Sequence, residues 1–356
     1  MSIIFDHISL GQRVLFGTGL ATDHAVSAVG DLAAERVLLI ADGSAAEIRN
    51  AIAERIAPAA TIDEIVQHVP VDRARAATDL AVSARADAIL TIGGGSATGL
   101  AKVVARDTGL PIIAVPTTFA GSEATNVWGQ TEGGRKVTGV DDVVLPRVIV
   151  YDAALSASLP GALAAASGMN ALAHAVDGFW APRADPINRA VGTESIAALI
   201  PGLRALAQDP DDLDARERAL YGAYLAAVAF ASAGSGMHHK ICHVLGGAFN
   251  LSHAETHAIV LPYVVAFNEP AAPDAARRVS GALGGLPAGL GLYRLRVELG
   301  IAGSLAELGL AESDIPEAAQ QAFESVPTTN PRPVLVADIE SIIRAAWAGA
   351  PIEEDS

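Results

Sequence analysis

Along the first 150 or so residues, short β-branched and aliphatic runs alternate with stretches of helical period. Arg36 to Ala41 reads as a buried strand, Ser44 to Ile56 as a helix, Ile62 to Val69 as a strand, Val71 to Ala86 as a helix and Ala88 to Ile92 as a strand. The turn Gly93-Gly94-Gly95-Ser96 then leads into a helix from Ala97 to Asp107, the strand Pro111 to Val115 and, later, the strand Val148 to Tyr151. Apolar strands separated by helices of this length predict a parallel sheet with right-handed crossovers, and ligands beyond the strands' carboxyl ends. After Asp152 the β-branched runs thin out and Ala, Leu and Gly at helical spacing take over, with Ala271 to Gly289 read as an interhelix region. The pattern thus predicts a Rossmann-like α/β domain over residues 1–155 and an all-α domain over residues 156–356, divided between Leu155 and Pro160.

Two uncharged stretches, Ala153 to Val176 and Ala219 to Met237, have the length of a bilayer span. The first is interrupted by Pro160, Asn170 and His174, and the second carries two tyrosines and several glycines and serines, so both read as buried helices rather than membrane spans. Composition narrows the picture further. Acidic residues outnumber basic ones by 40 to 24, a net charge of −16, which opposes binding to a phosphate backbone and argues against nucleic acid as a partner. A single cysteine, Cys242, excludes an intramolecular disulfide framework and cysteine-rich zinc sites, and with no secretory signal visible at the amino end a cytoplasmic location is expected.

The chemistry-bearing residues fall into two groups. Gly93, Gly94, Gly95 and Ser96 stand where a strand hands over to a helix, so backbone amides and the helix N-terminus are placed to cradle a pyrophosphate, although three successive glycines also make an ordinary tight turn. The segment Pro116 to Thr125 follows the next strand and brings the hydroxyls of Thr117, Thr118 and Ser122 to the same sheet edge. Asp42, just past the strand ending at Ala41, is placed to accept hydrogen bonds from an adenosine ribose and to disfavour a 2′-phosphate; helix capping accounts for it nearly as well. In the helical half, Asn170 and His174 share one helix face by their spacing of four, as do His239 and His243, and His253 and His257 follow. Histidines converging from separate helices suggest a metal site or an acid/base cluster. The amide of Asn170 is a weak donor to iron(II) or zinc, and Asp177 is the nearest carboxylate to His174.

Taken in order, Gly-Gly-Gly-Ser, Pro-Thr-Thr with Gly-Ser-Glu, Gly168-Met-Asn-Ala-Leu-Ala-His174 and His239-x3-His243 with Leu-Gly-Gly resemble the iron-containing alcohol dehydrogenase superfamily over most of the chain. More narrowly, Gly93 to Lys102, Pro116 to Glu123, His239-Lys-Ile-Cys-His243 and Asn330-Pro-Arg-Pro333 resemble its maleylacetate reductase branch. The resemblance implies a dehydroquinate synthase-like two-domain fold, a homodimer and reduction of the carbon-carbon double bond of maleylacetate with NADH or NADPH. A metal-dependent alcohol or polyol dehydrogenase is the alternative. The superfamily's Asp and three His metal ligands match Asn170, His174, His239 and His253, and the missing Asp implies an enzyme working without metal. On that basis His243, then His239, then His174 are expected to supply a protonated imidazole to the developing enolate. Asn170, His253, Lys136 and Arg332 are expected to bind the dicarboxylate substrate, with Lys240 a further cation.

Overall fold

The amino-terminal half builds the centre of its sheet from runs that are almost wholly apolar. The structure, a computed structural model, describes residues 4–354 apart from Asp42, Gln67, His68, Gly133 and Gly134. In chain order the first half contains β1 (Arg13–Phe16), α1 (Ala21–Asp31), β2 (Val37–Ala41), α2 (Ala46–Ile56), β3 (Ala60–Ile62), α3 (Val71–Ser83), β4 (Ala88–Gly93), α4 (Gly95–Thr108), β5 (Ile112–Pro116), β6 (Val127–Glu132), β7 (Arg135–Val140) and β8 (Val148–Tyr151). Six strands pair in parallel in the order β1-β8-β5-β4-β2-β3. Every residue of β2, β4, β5 and β8 is buried, because helices cover both faces. On one face Ala25, Ala28 and Ile52 of α1 and α2 pack on Leu39, Leu90 and Ile113; on the other Ala77, Ala101 and Val104 of α3 and α4 pack on Leu38, Ile40 and Ile89.

The helices that follow β2 and β4 therefore lie on opposite faces, and the carboxyl ends of these adjacent strands form a topological switch point. Three local expectations need correction. The strand expected over Ile62 to Val69 is only β3, because Asp63 and Glu64 end the apolar run. Strand β1 and the antiparallel hairpin β6–β7 form where no strand was expected.

The carboxyl-terminal half is helical: α5 (Gly161–Asp177), α6 (Pro186–Gln208), α7 (Leu213–Ala233), α8 (Met237–Ala248), α9 (His253–Asn268), α10 (Pro273–Ala282), α11 (Ala288–Glu298), α12 (Ile315–Phe323) and α13 (Val336–Ala348). Helix α10 occupies part of the expected interhelix region: Pro273 starts it at a position where a missing N–H costs nothing, and Gly284 and Gly285, both at positive φ, follow its end. Met237, Ile241 and Leu245 of α8 pack with Ile259 and Val264 of α9 and Ile339 and Ile343 of α13.

By internal contacts the chain divides into two compact units, Leu10–Leu159 and Pro160–Ser356, the latter joined by the described part of Met1–Ser9. His7 ties that segment down, donating from Nδ1 to Asp185 Oδ2 at 2.7 Å, while Asp185 Oδ1 caps α6 by accepting from the Ile187 and Asn188 amides, each at 2.8 Å. Among the described residues one helix, α6, is long and apolar enough to cross a bilayer, and half of its apolar window is buried inside the protein.

Candidate active site

In the α/β unit the glycine turn closes β4 and opens α4. Gly93 sits at φ +149°, and Gly94 precedes α4 with no side chain capping its first amides, which leaves N–H groups facing outward at a helix N-terminus. A side chain at Gly94 would meet the Thr118 methyl at 2.9 Å, so the turn and the loop after β5 are in contact. Thr117 N donates to Gly93 O at 3.2 Å, and Thr117, Thr118 and Ser122 are half-buried. The structure thus brings Gly93, Gly94, Gly95, Ser96, Thr117, Thr118 and Ser122 to one sheet edge. Asp42 lies outside the described residues, as does the side chain of Lys136, whose backbone pairs with Thr131 in the β6–β7 hairpin.

Behind this loop lies a residue that motif reading passed over. Lys102 of α4 is fully buried, and its Nζ donates to the carbonyls of Ser122 at 2.6 Å, Thr125 at 2.8 Å and Val127 at 2.8 Å, with Thr125 Oγ1 at 3.0 Å. Burial pushes Lys102 down to about 7, with Glu123 pulling the other way. Glu123 is itself buried, its carboxyl raised by desolvation, and Oε1 accepts from the Tyr151 hydroxyl at 2.7 Å.

In the helical unit the histidines assemble from α5, α8 and α9. Helix α5 is buried from Ala164 to Asp177, and a side chain at Gly168 would lie 2.2 Å from Leu203 of α6, so this close crossing fixes the rail that carries Asn170 and His174. The His174 ring stacks on His239 at 5.0 Å between centroids; His239 lies 5.9 Å from His243 and 4.8 Å from His257, and His257 lies 4.4 Å from His253. His243 and His253 are exposed, whereas His239 and His257 are buried.

Asp177 turns out to be the orienting group of this cluster. Its Oδ2 accepts from His239 Nδ1 at 2.7 Å, from the Gly236 amide at 3.0 Å and from the His239 amide at 3.3 Å, while Oδ1 accepts from Trp180 Nε1 at 3.0 Å. Burial raises the Asp177 carboxyl, but the three N–H donors of Gly236, His239 and Trp180 favour its ionised form, which places the His239 proton on Nδ1 and its lone pair on Nε2. That Nε2 is buried without a partner, and so are His174 Nδ1, His238 Nδ1, His257 Nε2 and Asn170 Oδ1. His238 Nε2 and His257 Nδ1 share a hydrogen bond of 2.9 Å. Neither His238 nor His257 stood out as a site residue, since only the fold brings them together.

Burial holds these rings neutral. Desolvation pushes His174 down to about 4 and His238 to about 3, and it carries His239 and His257 well below their ordinary value. Burial disfavours the expected cationic role for His174 and His239, whereas His243 alone of the three is exposed. Arg332 is also not brought to the cluster. It donates to Phe267 O at 3.4 Å and covers the Phe267 ring, at the far end of α9 from His253, roughly 20 Å away at 1.5 Å per residue. Lys240, next to His239 and half-buried, remains beside the histidines.

Both halves match models of one family. Residues 11–153 fit the model described as iron-containing alcohol dehydrogenase, and residues 164–347 fit that of the Fe-containing alcohol dehydrogenase family's C-terminal part. The chain belongs to the iron-containing alcohol dehydrogenase family. It is an oxidoreductase of that family with the family's fold, a parallel-sheet α/β half followed by a helical half. It is 42% identical over 353 residues to the maleylacetate reductase of Sphingobium indicum, covering 99% of each chain. Among solved structures it is similar to an iron-containing alcohol dehydrogenase from Corynebacterium glutamicum, at 47% identity and a TM-score of 0.95 over 98% of each chain. It is also similar to the maleylacetate reductase from Agrobacterium tumefaciens, at 36% identity and a TM-score of 0.93, covering 99% of this chain and 100% of that one.

Family membership overturns the expectation of an enzyme without metal, because both halves match an iron-binding family. The residues fit such an ion. Asn170 Oδ1 and His239 Nε2 are buried donors with no partner, Asp177 orients and polarises the His239 ring from behind, and imidazole nitrogens suit iron(II) or zinc. Donor atoms of His238, His239 and His257 also lie within 4.8 Å of one another. The weak amide donor at Asn170 lowers the charge of the ligand set without removing its imidazoles.

Proposed function

We propose that the chain is a maleylacetate reductase, adding hydrogen across the carbon-carbon double bond of maleylacetate to give 3-oxoadipate at the expense of NADH, with NADPH as the second candidate donor. Near-full-length likeness to maleylacetate reductases carries this reading. Residues 1–155 serve the dinucleotide and residues 156–356 the substrate. The glycine turn and helix N-terminus receive the pyrophosphate, and Thr117, Thr118 and Ser122 offer hydroxyls to the rest of the cofactor.

Hydride addition to the alkene carbon β to the ketone moves negative charge onto the ketone oxygen. Asn170, His174, His239 and His253 would hold iron(II), which would supply Lewis acidity toward that oxygen. The chain's own residues do the rest. Asp177 keeps the His239 proton on Nδ1, so the ring presents a lone pair and not an N–H toward the ligand side. His243, exposed and beside His239, holds the proton delivered to the enolate's α carbon, which restores the ketone, and recovers it from water. Lys240 meets one substrate carboxylate and Lys136 is the candidate for the other. The same reading includes a homodimer in the cytoplasm.

Iron-loaded protein is expected to oxidise NADH, followed at 340 nm, when maleylacetate is added, and to lose that activity on prolonged chelation. Inertness toward maleylacetate, with turnover of primary alcohols or polyols instead, would replace this reading with the alcohol dehydrogenase one.

A further inference from the structure

Lys102 has a feature no surface lysine shares: an ammonium in the protein interior ringed by main-chain oxygens. A neutral amine has two N–H groups, whereas three carbonyls point at Nζ within 2.8 Å, so the arrangement is built for all three protons of the cation. Such a charge out of water is tolerated only when its hydrogen bonds are complete. The three carbonyls belong to Ser122, Thr125 and Val127, which bound the loop after β5. In a trans peptide the C=O and N–H point in opposite directions, so turning three carbonyls inward to one point fixes which way the opposite side of the loop faces. The same loop carries Thr118, whose methyl packs against Gly94 of the glycine turn. From the other side, Gln12 Nε2 donates to Glu123 O at 2.9 Å and Tyr151 holds the Glu123 carboxyl.

We propose that Lys102 is a positioning residue for the dinucleotide site: its ammonium gathers the carbonyls of Ser122, Thr125 and Val127 and so holds the Thr117–Ser122 hydroxyls against the glycine turn. The inference rests on reading these two loops as the cofactor site. Lys102 touches neither cofactor nor substrate; it acts through the loop, so its removal weakens cofactor binding while leaving the histidine chemistry of the helical unit in place.

The test measures the Kd of NADH by quenching or enhancement of its fluorescence, with KM and kcat alongside, for the full chain and for Lys102→Met, Lys102→Gln and Thr125→Val, each well below its melting temperature. Lys102→Met is expected to raise the Kd and KM for NADH by about 10-fold or more, since it strands several buried acceptors, with kcat at saturating NADH within about 2-fold. Lys102→Gln, which keeps two N–H donors, is expected to recover part of the loss, and Thr125→Val to show a smaller rise. Should Lys102→Met fail to fold, the other two variants are read the same way. Folded variants with lower melting temperature but wild-type Kd for NADH would overturn the proposal, because a purely structural lysine behaves so. Wild-type protein that binds no dinucleotide would overturn the functional reading, and this inference with it.

Discussion

The buried lysine of the α/β unit and the buried histidines of the helical unit are treated in opposite ways. In the α/β unit, Lys102 is wholly enclosed and every proton of its ammonium meets an oxygen, while Glu123 receives the Tyr151 hydroxyl. In the helical unit, Asn170, His174, His238, His239 and His257 are as deeply enclosed, yet each keeps a side-chain nitrogen or oxygen without a partner. A satisfied buried group rigidifies a scaffold; an unsatisfied one is a standing cost that persists where a ligand is to be taken up. The contrast separates the part that fixes loop shape from the part that offers donor atoms.

The largest test of this contrast is acid. For His174 and His238, held neutral at about 4 and about 3 in the folded protein, the unfolded chain takes up protons near 6.5 while the folded one does not. Stability is thus full above pH 6.5 and falls as pH drops toward 4, by up to about 1.4 kcal/mol per pH unit for each histidine. Thermal melts between pH 4.5 and 7.5 check this, and a flat melting temperature across that range would break the claim that the rings are neutral.

Next in size is Asp177→Asn, which removes the anion behind His239. It is expected to weaken iron binding by roughly 10- to 100-fold, read by metal titration, without moving the Kd of NADH. Equal metal affinity in the variant would place Asp177 outside the ligand network. The smallest effect is expected from Arg332→Ala: with its guanidinium on Phe267, kcat/KM should stay within about 2-fold of wild type. A loss confined to KM for the dicarboxylate would return Arg332 to the substrate.

Strands β2, β4, β5 and β8 were legible because a strand buried on both faces must be apolar at each position, and few other elements read that way. The hairpin β6–β7 was not. Its strands, Val127–Glu132 and Arg135–Val140, mix Gly, Gln, Thr and charged residues, and what joins them is main-chain pairing, which composition does not report. The histidine spacing announced shared helix faces and so drew attention to His174, His239, His243, His253 and His257, but it gave His238 and His257 no role, since their hydrogen bond joins two helices. Lys102 escaped for a related reason: its partners are carbonyls, and every residue has one. Arg332 misled because nearness to a family motif in sequence says nothing about which end of a 16-residue helix it lies against. The protonation states of His174 and His239 depend on burial, which spacing alone cannot supply.

The contact between His7 and Asp185 spans 178 residues of chain and bears on biosynthesis. A ribosome finishes the whole parallel sheet before Asp185 has been translated, so the segment around His7 must wait, unmoored, for a partner made much later. Closing so long a loop is entropically costly, and the stretch around His7, although translated well before Asp185, is then among the last to settle.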